Sequence, residues 1–164
     1  MSVFRGRQLA KLRQALELDN LSGASGIIAS DLVITGNAAD TTEQTLASII
    51  VKASEFTNGL KIKAWGTFAS DTNTKTIKLK IDSTIVVTND VTPRPNNLTW
   101  EFEATVYKTS DMFEIIGGGI VGAILQSRMT DQIGEADVTI TITSQVGTAV
   151  ANIVICRGLT AESI

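Results

Sequence analysis

The feature that most constrains the fold is a strict alternation of apolar and polar residues that recurs in separate stretches. Leu60–Phe68, Lys75–Ile81 and Leu98–Tyr107 each alternate in this way. Successive side chains of a β-strand point to opposite faces of its sheet, so the pattern is typical of strands with one buried and one solvated face. An amphipathic helix would instead repeat its apolar residues about every 3.6 positions. The sequence therefore predicts a mainly β protein.

Clusters of turn residues divide the chain into ten predicted strands. The predicted strands cover residues 27–35, 45–54, 60–69, 75–81, 83–88, 98–109, 112–116, 119–128, 136–144 and 148–157. No helices alternate with them, so an antiparallel arrangement is favoured over a parallel α/β sheet. The predicted fold class is an antiparallel β-sandwich of the jelly-roll type, formed by residues 23–164.

Residues 1–22 are predicted to form a separate unit, a basic N-terminal α-helix or arm in front of the sandwich. Leu9, Leu12 and Leu16 recur at helical spacing, which places the helix over 2–19. Residues 1–18 carry a net charge of +3 in a chain whose total is −3, so the remainder carries −6. The basic side chains of this arm are Arg5, Arg7, Lys11 and Arg13.

Three interpretations of the basic arm stay open. It packs on its own β-body, it reaches an acidic partner subunit, or it touches nucleic acid or a membrane. The acidic balance of the whole chain disfavours nucleic acid, and Phe4 is the only aromatic residue that could enter a membrane. The sequence predicts neither a secretory signal nor a membrane-spanning stretch.

The residue inventory points away from catalysis. The chain has no histidine and one cysteine, so histidine-based triads and imidazole metal sites are excluded. Glu101 and Glu103 are predicted to pair with lysines 61, 63, 78 and 80 on a solvated face rather than to form a glycosidase pair. Cys156 is predicted to be a small core residue. The predicted protein is not an enzyme and binds no cofactor or metal.

The remaining polar and glycine clusters are predicted to be structural. Asp71-Thr72-Asn73 and residues 131–137 lack the spacing of a calcium loop and match ordinary turns. Gly117-Gly118-Gly119 lacks the order of a phosphate-binding loop and predicts a bulge or sharp bend between two strands.

Trp65 is the predicted partner-contact residue outside the arm. It falls on the polar parity of its strand, beside Lys61 and Lys63 and opposite to Ile62 and Ala64. An exposed tryptophan among polar residues is a common anchor of binding surfaces. Burial on a second face of the sheet is the alternative.

Two stretches are apolar on both parities, at 120–125 and 150–155. A strand that is apolar on both sides is normally buried on both sides. The cover is predicted to be either another subunit or the chain's own helix and loops.

Four segments resemble a recurring pattern of structural proteins from tailed bacteriophages. The pattern runs through Thr41–Leu46, Leu60–Ala69, Asn73–Leu79 and Leu98–Glu103, and it includes Ala64-Trp65-Gly66 and Asn73-Thr74-Lys75-Thr76. The resemblance covers residues 41–109, and the basic arm lies outside it. It implies a β-sandwich virion protein of the minor structural, head decoration (cement) or tail-associated kind.

The resemblance leads to a definite functional expectation. The protein is expected to be a capsid decoration protein of the virion, made in the bacterial host cytoplasm. It would bind the major capsid protein or another virion subunit as a homo-oligomer, with a trimer preferred over a dimer. The alternatives are a tail-associated or receptor-binding protein and a carbohydrate-binding jelly-roll module. Neither nucleic acid nor membrane is expected as a partner.

Overall fold

The fold consists of two antiparallel β-sheets that pack face to face around one hydrophobic core. The computed structural model describes residues 26–55, 58–69, 72–91, 98–108, 113–121, 124–133 and 136–164. The prediction of a mainly β, antiparallel sandwich is confirmed for this part of the chain. The helix predicted over 2–19 lies outside the described residues.

Eleven strands build the two sheets of the described chain. The larger sheet contains β1 (Ile27–Asp31), β2 (Thr35–Gly36), β4 (Gly59–Phe68), β7 (Leu98–Lys108), β8 (Phe113–Val121), β9 (Ile124–Ile133) and β11 (Val154–Ser163). The smaller sheet contains β3 (Gln44–Val51), β5 (Lys75–Ile81), β6 (Thr84–Val91) and β10 (Val138–Val146). The strand orders are β1-β11-β4-β7-β8-β9 and β3-β10-β5-β6, with β2 paired to β11 beside β1. A short 3-10 turn, Ala53–Glu55, follows β3.

The alternating stretches bury one face each, as their pattern predicts. In β4 every second residue is buried, and the same holds along β5. Trp100 and Phe102 of β7 are at most 1% exposed, and their ring centroids lie 5.5 Å apart. Burial of a side chain such as Phe102 contributes about 1.5–3 kcal/mol, so this inner face supplies much of the stabilisation.

The last strand differs from its prediction. The sequence predicts a strand over 148–157, but β11 begins at Val154 and continues to Ser163. Val150 is 45% exposed and Asn152 has a positive φ of 59°, so the chain turns there instead of pairing. The prediction that 150–155 is buried on both sides is therefore wrong for its first three residues.

The glycine run was predicted to separate two strands, and this is also wrong. β8 continues through Gly117, Gly118 and Gly119, and its pairing with β7 is unbroken. The predicted bulge is present, because the register with β9 shifts between Gly117 and Gly119. Residues 120–125 do not form one strand, since β8 ends at Val121 and β9 begins at Ile124.

Candidate partner-contact surface

Trp65 lies on the outer face of the larger sheet, in the middle of β4. The inward positions of β4 are filled by Leu60, Ile62 and Ala64, so the alternation turns Trp65 outward, where it is half-buried. Its half-buried state lies between the exposed contact position and the burial on a second face that the sequence left open. Trp100, which shares the parity of Phe102, is buried in the core as predicted.

Trp65 packs against Gly158, its register partner on β11. A Cβ atom added at Gly158 would lie 2.3 Å from Cζ2 of Trp65, so glycine leaves the space that the indole occupies. The register of β11 against β4 shifts between Cys156 and Gly158, and the extra residue of this bulge is the exposed Arg157. The bulge therefore exposes a cation on the strand next to Trp65.

Trp65 and Arg157 line an open depression of about 610 Å³ on this outer face. The other lining residues are Gly66, Thr67, Thr99, Trp100 and Glu101. Tryptophan and arginine are enriched among the residues that dominate protein interfaces, because they combine a large apolar area with specific hydrogen bonds. The depression has the chemistry of a contact anchor.

Surface ion pairs border the depression along β4 and β7. Nζ of Lys63 lies 3.1 Å from Oε1 of Glu101, and Nζ of Lys61 lies 3.5 Å from Oε1 of Glu103. All four side chains are 43–50% exposed, so each pair contributes less than about 1 kcal/mol. The prediction of a solvated face with opposite-charge pairs is confirmed for Glu101 and Glu103.

The prediction is wrong for Lys78 and Lys80, because both lie on the smaller sheet and not beside Glu101 and Glu103. Both ammonium groups donate to the carboxylate of Glu43, which precedes β3 and reaches across β10 to β5. The hydrogen bonds from Lys78 and Lys80 lower the pKa of Glu43 from 4.5 to about 2. This cluster links the start of β3 to β5 across the outer face of the smaller sheet.

Three further chemical candidates have structural roles, whereas Asp71 and residues 134–135 lie outside the described residues. Cys156 is fully buried, and burial raises the pKa of its thiol to about 11, so it is a core residue as predicted. The hydroxyl of Thr148 donates to Oδ1 of Asn73, and Asp137 accepts the amide of Ala53. In the part of the chain that the structure describes, no group of three or more Cys, Asp or Glu residues could hold a metal ion.

Sequence reasoning missed two residues that shape this end of the molecule, Arg157 and Asn37. The bulge that exposes Arg157 exists only through the register of β11 against β4. Asn37 belongs to a stretch with turn composition, yet it is 2% exposed and binds residues 113 to 117 positions away. No local pattern could have identified either role.

The four basic residues of the arm, Arg5, Arg7, Lys11 and Arg13, lie outside the described residues. Trp65 is the predicted contact residue that the structure places on a surface. No helix in the described part of the chain is long and apolar enough to cross a membrane. No protein-family model matches the chain, and no curated protein matches it either.

Proposed function

We propose that this protein is a non-enzymatic structural protein of a tailed-bacteriophage virion, a capsid decoration protein that binds and stabilises the head shell. The observation that carries the proposal is the way the strands pair. β1 pairs with β11, β3 with β10, β4 with β7 and β5 with β6, all antiparallel. The strands β1, β3, β4 and β5 come first in the chain. Their partners follow in reverse order, as β6, β7, β10 and β11.

We propose that this nested pairing makes the sandwich a jelly roll, in which one long hairpin is rolled into two four-stranded sheets. The sheets would be β1-β11-β4-β7 and β3-β10-β5-β6, and the hairpin of β8 and β9 extends the larger sheet. Jelly rolls recur in viral capsid and lectin domains. A sandwich of this kind is what the proposed resemblance of residues 41–109 to virion proteins implies.

The surface chemistry supports a role in contact rather than in catalysis. The outer face of the larger sheet presents Trp65 and Arg157 within a frame of weak ion pairs. Such a frame excludes water around a central anchor without adding much energy itself. We propose that this face meets the major capsid protein or another virion subunit, and that the basic arm adds contacts to an acidic neighbour.

The protein is proposed to act as a homo-oligomer, with a trimer preferred. Closed cyclic assemblies are the usual form of such bodies, and a trimer would match a three-fold position on a shell. Sedimentation equilibrium of the full-length chain measures the mass directly. A monomer at micromolar concentration would contradict this part of the proposal.

Co-sedimentation with purified heads of the phage that encodes the protein tests the function. The full-length chain should sediment with heads, and Trp65→Ala should weaken binding by about ten-fold or more, as expected for an interface anchor. Thr141→Ala, on the outer face of the smaller sheet, is the matched control and should bind as the unmodified chain does. Absence of binding by the unmodified protein would refute the decoration role.

The depression around Trp65 also favours a second candidate function, carbohydrate binding. A sugar ring could stack on the indole while Glu101, Arg157 and Thr99 bind its hydroxyl groups. A glycan array separates the two functions. Binding that disappears in Trp65→Ala would favour a lectin-like role, and an array without hits would exclude it.

A further inference from the structure

Three consecutive aliphatic side chains are exposed where the chain passes from β1 to β2. Leu32, Val33 and Ile34 are 60%, 68% and 64% exposed. Runs of exposed apolar residues are unfavourable in water and normally mark a surface that something covers. Because β2 pairs with the same strand as β1, the three residues form a short loop at the edge of the larger sheet.

Asp31 closes this loop with one hydrogen bond and links it to the smaller sheet with another. One carboxylate oxygen of Asp31 accepts the amide of Val33 at 3.1 Å, and the other accepts the amide of Ser48 on β3 at 3.3 Å. Both β1 and β3 are edge strands, so the loop lies where the two sheets end side by side. Ile50, two residues beyond Ser48, is also 66% exposed. Leu32, Val33, Ile34 and Ile50 are called the edge patch below.

The N-terminal segment enters the sandwich at the same edge. The amide of Ser163 donates to the carbonyl of Gly26 at 3.2 Å, and β1 then leads directly to the edge patch. A strand of five residues spans about 17 Å, and a helix over 2–19 would be about 27 Å long. Residues 20–25 could bridge up to about 20 Å, so the helix could lie along this edge of its own chain.

The chemistry of the N-terminal segment complements the edge patch. At about 100° per residue, Leu9, Leu12 and Leu16 share one face of the predicted helix, and Arg7 and Lys11 fall on the opposite face. Arg5 falls on the same face as the leucines, one turn before Leu9, so it would meet the border of the patch. An isolated helix of this length is marginal in water and requires a surface for its apolar side. Its net charge of +2 over residues 2–19 also favours a body that carries −5, where Asp31 borders the patch.

We propose that residues 2–19 dock on the edge patch of their own chain through Leu9, Leu12 and Leu16. The short connection keeps the segment at an effective concentration of the order of millimolar, which favours its own body over a neighbour. Docking in this way turns Arg7 and Lys11 outward, where they form a basic stripe available to an acidic partner. The docking itself does not depend on the proposed role in the virion.

Cysteine cross-linking in the full-length chain tests the docking. Leu12→Cys combined with Val33→Cys should form a disulfide within one chain under mild oxidation, while the native Cys156 stays buried. Leu12→Cys with Ser83→Cys is the control, because Ser83 is exposed in the turn before the edge strand β6. A disulfide-linked dimer would overturn docking on the same chain, and a yield no higher than the control would overturn docking altogether.

Hydrogen exchange gives a second, independent readout. Val33→Asp should leave the sandwich intact, since Val33 is 68% exposed, but should lower the protection of amides 9–16 by about ten-fold or more. Unchanged exchange in this segment would overturn the proposal. Head binding is measured separately on the same variant, so failure of the docking and failure of the decoration role remain distinguishable.

Discussion

Substitution of Asn37 by alanine should destabilise the protein far more than its loop position suggests. Its amide group donates to the carbonyls of Ala38 and Val150, both at 2.8 Å. Its Oδ1 accepts the amides of Ile153 and Val154, also at 2.8 Å. The side chain thus donates two hydrogen bonds and accepts two, and these bonds fix the loop that leads into β11.

The expected cost of Asn37→Ala follows from these four bonds. A net hydrogen bond contributes about 1 kcal/mol, and a buried donor left without a partner costs about 1–3 kcal/mol. Water can enter beside the exposed Val150 and relieve some of this cost. We therefore expect the free energy of unfolding to fall by about 3–5 kcal/mol, a large part of the total for a domain of this size.

Urea unfolding followed by tryptophan fluorescence measures this loss. Trp65 and Trp100 lie on opposite faces of the larger sheet, so their emission reports the unfolding of that sheet. Asn58→Ala, at an exposed turn position, is the matched control and should change stability by less than about 0.5 kcal/mol. Asn37→Asp keeps the acceptor but turns an oxygen toward two carbonyls, so it should also destabilise. A loss below about 1 kcal/mol in Asn37→Ala would refute the closed network of hydrogen bonds.

Three further results are expected from single substitutions or changes of pH. The lowered pKa of Glu43 stabilises the fold above pH 4.5 and loses this effect as the pH falls toward about 2. After screening by solvent, the contribution is about 1 kcal/mol. The free energies of unfolding of Glu43→Gln and the unmodified chain, measured in urea, should therefore differ by this amount at pH 7 and converge near pH 2. Gly66→Ala should lower the stability by several kcal/mol in a thermal melt, because its Cβ would lie 2.0 Å from a backbone oxygen. Gly158→Ala should mainly displace the Trp65 ring and shift the fluorescence emission of Trp65. The Cys156 thiol should react with a thiol reagent at pH 8 only as fast as the fold opens, and rapid labelling of the native protein would contradict its burial.

The sequence was sufficient to predict the strand character and the orientation of the central strands. In β4, β5 and β7 the alternation correctly separates inward from outward residues, including Trp100 inside and Trp65 outside, with the exception of the buried Lys75. It was sufficient because side-chain direction in a strand depends on position alone. The pairing of Glu101 and Glu103 with Lys63 and Lys61 was predictable for the same reason, since outward residues of neighbouring strands meet across the sheet. Which sheet holds Lys78 and Lys80 was not predictable from alternation.

The course of the chain near residue 150 could not be predicted in the same way. Val150, Ile153 and Val154 have similar local propensities, yet the first lies in an exposed turn and the others are buried. Asn37 decides this difference, and it is distant in sequence. Local composition therefore placed β11 about six residues too early.

The amino-acid sequence by itself determined that this chain forms one-sided strands, lacks the histidine of common catalytic sites and carries a basic segment before an acidic body. Tertiary structure alone decided which strands pair and that Leu32–Ile34 are exposed at a sheet edge. It also decided that the bulge of β11 brings Arg157 to the depression that Trp65 lines. The physical reason is the range of the interactions. Alternation acts between neighbouring residues, whereas register, bulges and edges arise only when strands that are far apart in the chain meet.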